Sequence, residues 1–179
     1  MKLNYLPLAV LAALLIAAPH LFAGHSLTEA ERAVVDSWLK KHPQYRAATD
    51  SDCDCATDIR TIREQGYGGK WKAVRDYHPY MATGDFNGDG VEDFAIAVVD
   101  RSRKAQKFAL LVFNGPFDSS DVAPAYLESK VDLRATGMFF GPPRPKPYRL
   151  VIGPFESEGY ILIPRGKTYR LKDVSTVGE

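Results

Sequence analysis

Hydrophobic periodicity divides the chain into a helical start and a β-rich remainder. Ser26 and Glu29 form a capping-box pattern, and Leu27, Ala30, Val34, Val35, Trp38 and Leu39 then recur at helical spacing. Lys40, Lys41 and His42 suit the negative end of a helix dipole, and Pro43 stops the run. The spacing predicts an amphipathic helix over 27–41 with Trp38 on its buried face. A second, shorter helix is predicted over 56–65, ending at Gly66. From Trp71 onward the pattern is that of strands, with candidates at 71–75, 79–84, 93–100, 106–113, 132–138, 148–153, 158–164 and 167–172. The run Phe94-Ala95-Ile96-Ala97-Val98-Val99 is continuously apolar, which fits a strand covered on both faces. The turn Arg101-Ser102-Arg103-Lys104 joins it to 106–113, so these two strands are expected to be central and antiparallel. The stretch 141–147 is too rich in proline to enter a ladder. Helices followed by strands predict an α+β fold: two N-terminal helices packed on a mainly antiparallel β-sheet.

The loop between two of these strands carries the clearest chemistry. The stretch 84–95 reads Gly-Asp-Phe-Asn-Gly-Asp-Gly-Val-Glu-Asp-Phe-Ala and sets Asp85, Asn87, Asp89 and Asp93 at loop positions 1, 3, 5 and 9. Calcium takes six to eight oxygen ligands, several of them anionic. Alternate residues of a tight loop can point inward together, so one short segment supplies several donors. Gly90, at position 6, allows the sharp turn, and the carbonyl of Val91 is the expected backbone ligand. An EF-hand is excluded because position 12 is Ile96 and not a bidentate glutamate, and because strands flank the loop.

The segment Gly-Asp-Phe-Asn-Gly-Asp-Gly-Val-Glu-Asp-Phe-Ala-Ile-Ala-Val-Val-Asp, residues 84–100, resembles the calcium loop of FG-GAP or VCBS-type repeats, the blades of integrin-α-like propellers. The resemblance implies a strand–loop–strand hairpin holding calcium through Asp85, Asn87, Asp89, the Val91 carbonyl and Asp93. It covers the loop and not an architecture, since a propeller repeats its blade and this chain has one full copy. A partial echo places Asp50, Asp52, Asp54 and Asp58 at the same spacing, with Cys55 in place of the glycine. The simpler account of that echo is an aspartate-rich helix start, with a second cation site as the alternative.

Lys2, an apolar run from Leu6 to Ala18 and small residues near Ala23-Gly24 read as a secretory signal peptide over 1–23. A run of that length is short of the roughly 20 residues of a membrane span. The expected mature product, 24–179, is one domain with no membrane span, exported to a periplasmic or extracellular compartment. Removing the leader takes away Lys2 and leaves 22 basic against 22 acidic residues. Neutrality offers no electrostatic case for nucleic acid or a membrane surface.

Cys53 and Cys55 are the only cysteines. In an exported chain a disulfide is the default, though closing so small a loop yields only about 1.5 kcal/mol. A local disulfide, inert thiols, a redox-active bridge, a soft-metal site and pairing with another chain all remain open. The neighbouring Asp52 and Asp54 oppose an activated thiolate. His78, in Asp76-Tyr77-His78-Pro79-Tyr80, is a candidate general base, although packed strand-edge residues are the commoner outcome. Glu92 reads as a solvated loop carboxylate, and Phe139-Phe140 as core. No nucleophile elbow and no phosphate loop occurs. These features predict an exported, non-enzymatic calcium-binding module that contacts a protein or envelope component. The alternative is an exported enzyme, either a thiol–disulfide catalyst using Cys53 and Cys55 or a hydrolase using His78.

Overall fold

The computed structural model describes residues 26–66, 72–105, 107–142, 144, 146–155 and 159–174. The expected signal peptide, 1–23, lies outside them. The first helix, α1, spans Glu29–Lys41. Its cap sits two residues later than the sequence pattern predicts. Thr28 is the N-cap, and Glu31 reaches back to the Thr28 backbone N–H at 2.7 Å. That bond explains how the Glu31 carboxylate is only 2% exposed. Trp38 is buried as expected and stacks on His42 with ring centroids 4.1 Å apart.

Strand β1, Tyr45–Ala47, follows, then a 3₁₀ turn over Asp50–Asp52 and helix α2, Ala56–Glu64. Eight strands come next: β2 Met81–Gly84, β3 Asp93–Asp100, β4 Phe108–Phe113 and β5 Tyr126–Val131, then β6 Thr136–Phe139, β7 Val151–Pro154, β8 Tyr160–Arg165 and β9 Thr168–Asp173. With β1 they make nine strands among the described residues, dealt into two antiparallel sheets of five and four. In the five-stranded sheet β3 pairs with β4, and β4 with β5, while β1 and β2 share the other side of β3. The four-stranded sheet runs β6-β7-β8-β9.

The expected α+β arrangement is therefore overturned. The fold is mainly β, with two sheets instead of one, and the two helices are not a pair on one face. Strand residues alternate between faces, and the packing follows that alternation. Phe94, Ile96 and Val98 of β3 join Ala109, Leu111 and Phe113 of β4 against Val34, Val35 and Trp38 of α1. Ala95, Ala97 and Val99 join Phe108, Leu110 and Val112 on the opposite face, which meets the four-stranded sheet and Ile59 and Ile62 of α2. Period alone shows that a strand is buried on both faces but not what covers each one. Two strands escaped the sequence reading. β5 carries Glu128 and Ser129 among its apolar residues, and β1 is three residues long. Residues 72–75, expected in a strand, form none.

Because α1 covers a whole face of the central strands, its cap should matter to global stability. Thr28→Ala is expected to lower the unfolding free energy by about 1 kcal/mol in urea titration, with an unchanged m-value.

Candidate metal centre

The loop 85–92 joins β2 to β3, whose residues pair from Gly84 with Asp93 to Met81 with Ile96. It is the strand–loop–strand unit that the residue pattern predicts. Phe86 anchors its base, 1% exposed and edge-on to Phe140 at 5.0 Å. Gly88 and Gly90 adopt φ of +83° and +86° with open space around them, so backbone conformation and not crowding calls for glycine there.

The loop carboxylates are satisfied largely by the loop itself. Asp85 Oδ1 accepts from Gly88 N at 2.6 Å and Asp89 N at 3.0 Å, and Asp85 Oδ2 from Gly90 N at 2.9 Å. Asn87 Oδ1 accepts from Asp89 N at 2.8 Å, and Asn87 Nδ2 donates to Asp89 Oδ2 at 2.9 Å. Asp89 Oδ1 accepts from Val91 N at 2.9 Å. A carboxylate offers about four lone-pair positions, so Asp85 Oδ2 and both oxygens of Asp89 keep acceptor capacity beside these bonds. Asp89 is exposed, and Asp85, Asn87 and Val91 are half-buried. An all-oxygen donor set of this kind suits a hard cation. In the conformation described the carboxylates do not close on a common point: among the described residues no three His, Cys, Asp or Glu side chains are grouped to hold a metal.

Asp93 occupies a different environment. It is fully buried, and its Oδ2 accepts from Phe86 N at 3.0 Å while Oδ1 accepts from Gly115 N at 3.2 Å. The Tyr169 hydroxyl stands 3.1 Å from Asp93 Oδ2 and 2.6 Å from Asn114 Oδ1. Burial pushes the Asp93 carboxyl above its ordinary range, against the pull of those hydrogen bonds. Burial likewise raises the Tyr169 hydroxyl, reinforced by the charges of Asp93, Asp89 and Asp85. Sequence reading missed Gly115, Asn114 and Tyr169. Nothing local marks them, since they lie 22 and 76 residues from Asp93 or reach it through another side chain.

The aspartate echo at 50–58 is divided among different cations. Asp52 forms a two-pronged bond with Arg46, at 2.6 and 2.5 Å, and caps its own turn by accepting from Thr49 N. Asp50 accepts from Arg63 at 2.5 Å and lies 3.0 Å from His78 Nδ1. Asp54 is exposed, and Asp58 sits in the first turn of α2. This is the helix-start arrangement, with two of the four carboxylates committed to arginines. Cys53 and Cys55 form a disulfide, Cα atoms 5.1 Å apart and both residues buried, so neither sulfur is left for a metal or another chain. His78 is 44% exposed and carries the Asp50 contact that orients its ring.

No family model, curated protein or solved structure matches the chain. Among the described residues no helix is long and apolar enough to cross a membrane.

The Arg46 bond holds the Asp52 carboxyl well below the ordinary carboxylate range. A depressed folded-state value stabilises the fold fully above the unfolded value and loses that contribution as pH falls toward the folded value. Asp52→Asn is expected to cost on the order of 2 kcal/mol at pH 7. The deficit against wild type should shrink below about pH 4 in denaturant titrations run across the acid range.

Proposed function

We propose that the protein is an exported, non-enzymatic module whose 84–95 loop binds one calcium ion, with the ion tying the β2–β3 hairpin together. The carrying observation is the loop tip. Asp85, Asn87 and Asp89 sit on a glycine-shaped turn with lone pairs beyond their backbone bonds, next to the buried carboxylate of Asp93. Calcium held by Asp85, Asn87, Asp89 and the Val91 carbonyl would offset the mutual repulsion of the loop acids. It would also relieve the cost of keeping Asp93 ionised, through either direct ligation or proximity. Calcium in place of magnesium follows from the number of protein donors, because magnesium retains its waters. The partner on this reading is a protein or envelope component in a periplasmic or extracellular compartment.

The thiol–disulfide reading loses ground to burial. Cys53 and Cys55 are 8% and 2% exposed, and exchange requires an attacking thiolate to reach a sulfur. The hydrolase reading has one observation in its favour: the Asp50 contact on Nδ1 leaves the other ring nitrogen of His78 outside that bond.

Thermal unfolding with millimolar calcium against chelator tests the main reading. At ten times the dissociation constant, calcium is expected to add about 1.4 kcal/mol, seen as a rise in Tm. Asp89→Ala should abolish that rise while leaving the chelated Tm close to wild type, because Asp89 is exposed. Equal Tm values for wild type in calcium and in chelator would reduce the loop to an acidic turn.

A further inference from the structure

The five-stranded sheet has a split edge, and a cleft opens there. β1 and β2 lie along the same side of β3 and diverge at Ala97. Ala48 N donates to the Ala97 carbonyl at 3.0 Å, and Ala97 N donates to the Tyr80 carbonyl at 2.9 Å. The chain leaving β1 turns into the 3₁₀ segment, and the chain entering β2 arrives from His78. The space between them, about 500 Å³, is closed on its third side by the start of α1. That is within the size range of small-molecule sites.

Its lining combines apolar and charged side chains. Leu27, Tyr80 and Ile96 are buried, and Ala48 and Met81 are half-buried beside them. The polar lining includes Arg32, Asp50 and His78. Asp50 is already held by Arg63 and His78, so its charge is compensated. Arg32 is exposed on α1, and among the described residues no carboxylate lies within ion-pair distance of it. Arg32 thus brings to the cleft lining a guanidinium without an ion-pair partner among the described residues, and the His78 ring shares that lining. A planar guanidinium without a partner matches a carboxylate by shape as well as charge.

We infer that this cleft binds a small free amphiphile whose apolar body fills the space over Ile96, Met81 and Ala48 and whose carboxylate pairs with Arg32. The site is separate from the calcium loop and does not depend on it.

Isothermal titration of the purified protein in calcium-free buffer tests this, with sodium octanoate as probe and 1-octanol as its uncharged counterpart. Octanoate is expected to bind, and octanol more weakly. Arg32→Gln should weaken octanoate about tenfold or more and leave octanol unchanged. Ala48→Leu, which fills the cleft, should weaken both. The Arg32 variant changes an exposed side chain, so its result decides the matter even where the filled variant folds poorly. The inference is overturned by no octanoate binding up to 10 mM, on the order of a very weak site. It is also overturned by equal octanoate affinity in wild type and Arg32→Gln, or by octanol matching octanoate. A short apolar peptide acid such as Ala-Leu-Leu binding much more tightly than octanoate would overturn the assignment to a free amphiphile.

Discussion

Burial of β3 on both faces is the constraint from which the rest of the architecture follows. All eight residues, Asp93 to Asp100, are buried. A strand in that position needs two covers, and its composition sorts them. The face bearing Phe94, Ile96 and Val98 presents bulk and takes a single amphipathic helix, α1. The face bearing Ala95, Ala97 and Val99 is shallow, and the larger side chains of Tyr80, Phe86 and Phe108 fill the space toward the second sheet. Small residues on one side and large on the other suit two unlike layers packing on one strand.

The first residue of that strand links the loop to both sheets. Asp93 brings a carboxyl into the interior, where an unpaired carboxylate would be costly. Its partners come from three places: the loop itself through Phe86 N, the segment after β4 through Gly115 N, and β9 of the four-stranded sheet through Tyr169. The hairpin loop is thus not an appendage. The Asp89 charge at its tip adds to the upward push of burial on the Asp93 carboxyl, and Asp93 meets β9 through Tyr169. On the proposed reading, this is how a cation at the surface would stabilise the whole fold.

The acidic segment before α2 shows how the same spacing serves another purpose. Asp50 and Asp52 repeat the loop's register, yet Arg63 and Arg46 claim them from different directions. The turn they build diverts the chain away from β3 after Ala48. That diversion opens the cleft beside Ile96. The cleft is a consequence of two strands sharing one edge, and the Asp50–His78 pair in its lining belongs to the ion pairs that hold the turn.

Local pattern carried a good part of this molecule. The helix with Trp38 inward, the double-sided burial of 93–100, its antiparallel pairing with the next strand and the glycine-shaped turn at 85–90 were all legible, because each depends on neighbours within a few residues. The allotment of strands to two sheets, the placement of α1 and α2 on opposite faces, the bonds from Gly115 and Tyr169 to Asp93 and the pairing of Asp50 with His78 were decided only by tertiary structure. Period two states that a side chain turns inward but leaves its partner unnamed. Contacts between residues 22 to 76 positions apart arise only when layers close, and nothing in the local spacing of an aspartate distinguishes a carboxylate aimed at solvent from one sealed beneath a tyrosine.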